Sequence, residues 1–164
     1  PLSVYAASKV EGEKIVQEEA ENWSIARTII VYGEGNNLSR SNIILWAREA
    51  LKSGNPLTIV DDQFRAPTWA DDLAWGCLAI VLKNKQGIFH LSGPETMSII
   101  DLVYRVADFY KLPKDQVTPS KSTDLNQAAQ RPPKTGFDLS KARKEIGYAP
   151  MKLEQTLGLL SKLD

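Results

Sequence analysis

At 164 residues, 43% apolar and 24% charged, the chain has the size and balance of a soluble globular protein: one core, or one domain plus a piece of another. Lys+Arg 20 offsets Asp+Glu 20 and the basic residues are scattered, which excludes an overall positive field for nucleic acid or an anionic membrane. No apolar run reaches transmembrane length, none reads as a signal peptide, and the single cysteine, Cys77, excludes an internal disulfide and suits a reducing cytoplasm.

The pattern from Tyr5 to about Asn22 is helical, with Val10, Ile15 and Val16 among glutamates and lysines. WSIARTIIVYG reads as one buried, β-branched strand ended by Gly33. After the polar loop EGNNLSRS, Ser41 or Asn42 is placed to cap the helix NIILWAREALKSG, and LTIV follows as a short strand. DDQFRAPTWADD reads as a polar loop around Pro67, with Asp71 or Asp72 leading into the apolar helix LAWGCLAIVLKN. Cys77 in that helix is expected to be a small buried hydrophobe. GIFHLSG is a strand, Ser98 caps SIIDLVYRVADFYKL, VTPSK is extended, and LNQAAQRPPKTGFD is a Pro-interrupted loop. DLSKARKEIG and LEQTLGLLSKL close the chain as helices.

Strand–helix alternation argues for an α/β fold with mainly parallel pairing. A helix running into a buried strand at residues 23–33 needs neighbouring strands outside this sequence. The beginning, residues 1–35, therefore reads as the tail of a larger doubly wound, Rossmann-like α/β sheet.

Tyr5 and Lys9 are four apart on the first helix and share a face. A free phenol has a pKa of ~10, and an ammonium ~4–6 Å away favours the phenolate, so a Tyr-x-x-x-Lys helix is a workable proton-transfer device. Spacing alone leaves a purely structural pair as the commoner outcome. GEGNNL begins like a dinucleotide-binding turn, but Leu38 stands where a third glycine belongs and no ribose-binding acid follows ~20 residues on, so that reading is rejected. Asp61-Asp62 and Asp71-Asp72 read as caps and solvated turns, because adjacent carboxylates on a strand end or helix start diverge. His90, the only histidine, has no Cys/His cluster around it; no metal is expected, and a satisfied structural imidazole is. Trp23, Trp46, Trp69 and Trp75 read as core or rim, with only Trp69 placed to reach a ligand.

PLSVYAASKVEGEKIV resembles the active-site helix of the extended short-chain dehydrogenase/reductases, with Pro1, Tyr5, Lys9, Gly12 and Glu13 on the family pattern. RTIIVYGEGNN, VDDQFRAPTWADDLA, GIFHLSGPETMS and AQRPPKTGFDLSKA, in that order, resemble the dTDP-4-dehydrorhamnose reductase branch over nearly the whole chain. The same segments, with Gln63, Arg65, Pro67, Thr68, Gln130, Arg131 and Pro132, are similar to the regulatory β subunit of methionine adenosyltransferase, and the Tyr–Lys pair does not separate the two. Ile29 and Ile30 replace the Ser-Trp usual in the reductases. Arg65 replaces a frequent glycine and resembles instead the diphosphate-binding arginine of nucleotide-sugar epimerases and dehydratases.

The resemblance implies NADPH or NADH as cofactor, with its main binding half outside this chain, and a nucleotide-sugar substrate; a homodimer is an assembly it allows. It also implies that residues 36–164 are mainly a small α/β sugar-nucleotide-binding domain. It assigns proton exchange to Tyr5 and ribose contact to Lys9. Arg65 and Arg131 are planar, bidentate donors suited to a diphosphate, Arg131 being presented on stiff Pro-Pro backbone unless it is an exposed loop arginine. Asn36 and Asn37 either bond sugar hydroxyls or hold a turn; Gln63 either donates to ligand or ties its own loop; Pro67 and Thr68 shape the loop. The chain by itself is expected to bind NAD(P)H negligibly and not to turn over.

Overall fold

The computed structural model describes residues 1–35, 42–124 and 131–162. In chain order the elements are α1 (Val4–Glu19), β1 (Ser24–Arg27), β2 (Val31–Tyr32), α2 (Ile43–Lys52), β3 (Leu57–Val60), β4 (Phe64–Arg65), β5 (Thr68–Trp69), α3 (Ala70–Leu82), β6 (Gly87–His90), β7 (Met97–Ser98), α4 (Ile99–Tyr110), β8 (Val117–Ser120), α5 (Ser140–Ile146) and α6 (Leu153–Leu160). Among the described residues the strands form pairs. β1 with β6, β2 with β5 and β3 with β8 are parallel, and β4 with β7 is antiparallel. The α/β class and the dominance of parallel pairing follow the sequence reading.

Local chemistry fixes the helix starts. Ser3 accepts the Ala6 N–H at 3.1 Å, Asn42 accepts from Ile44 and Leu45, and Ser98 accepts from Asp101. The expected single strand over 23–33 is instead two, because the chain bends at residues 28–30 and Ile30 adopts a positive φ of 35°. The expected loop 61–72 contains the short strands β4 and β5. Asp71 and Asp72 are not caps: α3 begins at Ala70, and both acids lie in its first turn, where the helix dipole favours them.

Three apolar clusters hold these elements. Ala47, Leu51, Leu57, Ile59, Val103 and Val117 join α2, β3, α4 and β8. Tyr32, Trp69, Leu102, Leu157 and Leu160 join β2, β5, α4 and α6. Ile80, Phe89, Leu91, Ile146 and Tyr148 join α3, β6 and α5. α3 approaches its neighbours through Gly76, where an added Cβ would lie 2.8 Å from Leu91 Cδ1. Only Gly76 and Ile80 of that helix are buried, Leu73 and Ala79 pack half-buried on the third cluster, and Trp75, Cys77, Leu78, Val81 and Leu82 are exposed. One expectation fails there: Cys77 is exposed; Trp75, read as core or rim, is 70% exposed. Trp46 is also exposed, whereas Trp69 belongs to the core.

Candidate active site and anion site

Tyr5 and Lys9 occupy one face of α1, with the Lys9 ammonium 5.4 Å from the centre of the Tyr5 ring. Ser8, between them, donates to the Tyr5 carbonyl at 2.8 Å. Both side chains open onto a cleft of about 750 Å³ whose other walls are Gly12, Glu13, the β1 residues and Thr28, with Phe137 from the segment before α5. That volume is of the order that holds a small-molecule ligand. Tyr5 is 72% exposed, so the described chain leaves its phenol open to a ligand.

No residue of α1 is buried, so the orientation of the helix depends on polar ties. Chief among them is Glu13, which takes a two-pronged bond from the Arg27 guanidinium at the end of β1, with Nε to Oε1 at 2.7 Å. That bond holds the Glu13 carboxyl below the ordinary carboxylate range and raises the Arg27 guanidinium. Sequence reasoning placed Glu13 on a motif without giving it a task. The missed signal was Arg27 at the end of the next strand: α1 runs back along β1, so an acid two turns after Tyr5 reaches the strand end beside the cleft.

A second cluster lies on β4. Arg65 is 7% exposed; it donates to the carbonyls of Phe64 at 2.7 Å and Pro133 at 3.2 Å and to the Gln63 side-chain oxygen at 3.1 Å. Gln63 therefore ties its own loop through its side-chain oxygen, one of the two roles the sequence left open. None of these acceptors carries a charge, and among the described residues no carboxylate pairs with Arg65. Burial, and after it the like charge of Arg131, push the Arg65 guanidinium down from its ordinary value. Arg131 is exposed and reaches this neighbourhood because residues 133–135 run along β4: the Phe64 N–H donates to the Pro133 carbonyl at 2.7 Å and the Thr135 N–H to the Phe64 carbonyl at 3.0 Å. A buried cation near a second cation, neither paired with a carboxylate among the described residues, is an arrangement suited to an anion.

Gln63, Arg65 and Arg131 are not walls of the Tyr5–Lys9 cleft; the two clusters are separate and are linked through Thr28 and Thr68, whose hydroxyls lie 3.3 Å apart. Asn36, Asn37 and Gln130 lie outside the described residues. His90 stacks on Phe137 with ring centres 4.3 Å apart, but its Nε2 is buried without a hydrogen-bond partner among the described residues, so it is not the fully satisfied histidine expected. No group of three His, Cys, Asp or Glu among the described residues is placed to hold a metal ion, and no described helix is long and apolar enough to cross a membrane.

Residues 1–162 match the RmlD substrate binding domain family. The chain is 30% identical over 149 residues to methionine adenosyltransferase 2 subunit beta of Xenopus tropicalis, covering 88% of this chain and 44% of that protein. A crystal structure of a dTDP-4-dehydrorhamnose reductase from Clostridium acetobutylicum superposes with a TM-score of 0.87 at 25% identity, over 99% of this chain and 56% of that one. A UDP-glucuronic acid 4-epimerase from Bacillus cereus, solved with UDP-glucuronic acid and NAD, superposes with a TM-score of 0.79 at 26% identity, over 99% and 52%. The chain thus spans about half the length of the relatives it matches.

Proposed function

Because the chain belongs to the RmlD substrate binding domain family, with the mixed α/β fold of the substrate-binding part of these Rossmann-like enzymes, we propose that it supplies the proton-transfer helix and the nucleotide-sugar grip of an NAD(P)-dependent reductase acting on a nucleotide-linked 4-keto-6-deoxy sugar. The observation that carries this reading is Arg65: a buried guanidinium without a counter-charge among the described residues, near Arg131, a short link away from a Tyr–Lys cleft. A nucleotide diphosphate supplies the missing negative charge, and two forked guanidiniums match its oxygens. The reduced nicotinamide, when bound, supplies a hydride to the 4-keto carbon. Tyr5 gives its phenolic proton to the oxygen that forms there. Lys9 holds the ribose hydroxyls and favours the phenolate left behind. Glu13 and Arg27 keep both side chains aimed at the cleft.

On this reading residues 1–35, with α3 and β6, are one side of a nucleotide-binding unit that is completed by chain beyond these residues, and residues 36–164 mainly form the sugar-nucleotide domain. Full-length protein is expected to consume NADPH with a dTDP-4-keto-6-deoxy sugar in a soluble, cytoplasmic preparation, and the 164-residue chain alone is not. Arg65→Met is expected to raise KM for the sugar nucleotide by ~10-fold or more, the scale of one lost charge-assisted grip. An unchanged KM in the folded variant rejects the site.

An epimerase or dehydratase reading keeps the same grip, and is favoured by Arg65 itself and by the epimerase superposition. Turnover without net NADPH consumption selects it. A non-catalytic regulatory reading is favoured by the 30% identity to a methionine adenosyltransferase subunit. Absence of turnover together with copurification of methionine adenosyltransferase selects that one.

A further inference from the structure

We propose that Thr68 is a positioning residue that sets the Arg65 anion site in register with the Tyr5–Lys9 cleft; this rests on the reductase reading above and adds a residue that reading does not use. Thr68 is fully buried, at 0% exposure, and both its N–H and its hydroxyl reach the bend that separates β1 from β2, the hydroxyl lying also 3.5 Å from the Ala66 carbonyl. Its N–H donates to the Ile30 carbonyl at 3.0 Å and its hydroxyl to the Ile29 carbonyl at 2.6 Å. With its single proton spent on Ile29, the Thr68 oxygen accepts from the Thr28 hydroxyl at 3.3 Å, and Thr28 is a wall of the cleft. One residue therefore holds three successive residues at the end of the strand that carries Arg27, 28 and 29 through its hydroxyl and 30 through its backbone N–H.

The bend it holds is strained. Ile30 is β-branched and has φ of 35°, a region such residues enter only when their surroundings compel it. That geometry turns two successive carbonyls, of Ile29 and Ile30, toward Thr68. On its other side Thr68 follows Arg65 by three residues, across a segment with little slack. Arg65 pairs with Met97 of β7, and the Pro67 carbonyl packs so closely on Gly93 that a Cβ there would sit 1.9 Å from it. A rigid connection thus runs from the Arg65 guanidinium, through Pro67 and Thr68, to Thr28 at the cleft. A substrate gripped by its diphosphate on Arg65 presents its sugar carbon to Tyr5 at a distance fixed by this connection.

The measurement uses full-length protein, with dTDP as the binding probe and NADPH oxidation with a dTDP-4-keto-6-deoxy sugar as the rate. Thr68→Ala removes hydroxyl and methyl; Thr68→Ser removes only the methyl. Misplacement of reacting atoms by about 1 Å costs up to ~10²-fold, so T68A is expected to lower kcat by ~10-fold or more while dTDP and NADPH dissociation constants stay within ~3-fold. T68S is expected to keep kcat within ~3-fold of the parent. A packing role alone would lower the melting temperature and leave kcat per folded molecule unchanged. Should T68A not fold, Thr68→Val, which keeps the volume and lacks the hydroxyl, takes its place with the same expectation. Parental kcat in folded T68A, or T68S falling as far as T68A, overturns the proposal while leaving the reductase reading intact. A parent that neither binds dTDP nor turns over overturns both.

Discussion

The two sides of the molecule are finished to different degrees. Around α4, six residues of one twelve-residue helix are buried, and α2, α6, β3 and β8 close over them. On α1 and the outer face of α3 the opposite holds: α1 buries no residue in sixteen, and Trp75, Val81 and Leu82 of α3 are each 70% exposed or more, although β6 itself buries Phe89 in the third cluster. α3 is apolar nearly all round its circumference, the mark of a helix packed on more than one side. Soluble proteins rarely leave contiguous apolar faces of this kind bare. The contrast therefore separates a half whose core closes within the described residues from a layer that keeps an apolar face exposed among them. It is also the contrast expected if the cofactor half of the proposed enzyme packs on that layer.

The largest expected effects lie on the closed side. Leu157 of α6 is fully buried in the second cluster, and truncation to alanine is expected to cost ~2–5 kcal/mol by equilibrium denaturation of the 164-residue chain. A cost below ~1 kcal/mol would mean that this half is as loosely packed as the other. Arg65→Met belongs to the same side but changes sign. Its uncompensated buried charge goes, so the chain is expected to be as stable or more so while sugar-nucleotide affinity falls ~10-fold or more. Strong destabilisation of R65M would assign the guanidinium to fold maintenance through Phe64, Pro133 and Gln63 instead.

Most of the closed half was readable from sequence because its signals are local. Asn42 and Ser98 cap the helices expected of them, and the LTIV and GIFH strands are present. The errors share a physical cause, namely tertiary contacts that sequence periodicity does not carry. The strand through residues 28–30 is broken because Thr68, forty residues later, draws in the Ile29 and Ile30 carbonyls. Cys77 read as buried because an apolar helix looks buried, yet the face that packs is chosen by Gly76, which lets Leu91 and Tyr148 approach. At the site, Tyr5, Lys9, Arg65 and Arg131 were visible as residue types in motifs. Their grouping was not: Arg131 comes near Arg65 because residues 133–135 run beside β4, and the Gln63 side-chain oxygen accepts from Arg65.

On the open side, changes at apolar residues are expected to be almost silent in this chain. Trp75→Ser with Val81→Ser is expected to shift stability by no more than ~0.5 kcal/mol per site, as for exposed positions away from special features. In full-length protein the same pair is expected to cost several times more, because the serines would then interrupt a covered apolar face. Equal small effects in both contexts would show that α3 stays bare and would remove the argument for a covering unit.

The smallest expected effect is local and depends on pH. The Glu13 carboxyl is held below its ordinary range, first by the hydrogen bonds from Arg27. Its folded-state pKa is thus depressed relative to an unfolded value of about 4.3, so the pair's contribution is fully present above that pH. It is lost as pH falls from about 4.3 through the lower folded value. Because α1 buries no side chain, losing this tie should loosen the helix without unfolding the closed half. Amide exchange in α1, corrected for the intrinsic rate, is expected to accelerate below pH ~4.3 while amides of α4 keep their protection. Glu13→Gln is expected to show the faster α1 exchange at neutral pH and to lose the pH step. If α1 and α4 lose protection together, the two sides unfold as one unit, and the orientation of Tyr5 and Lys9 cannot be credited to Glu13 and Arg27 alone.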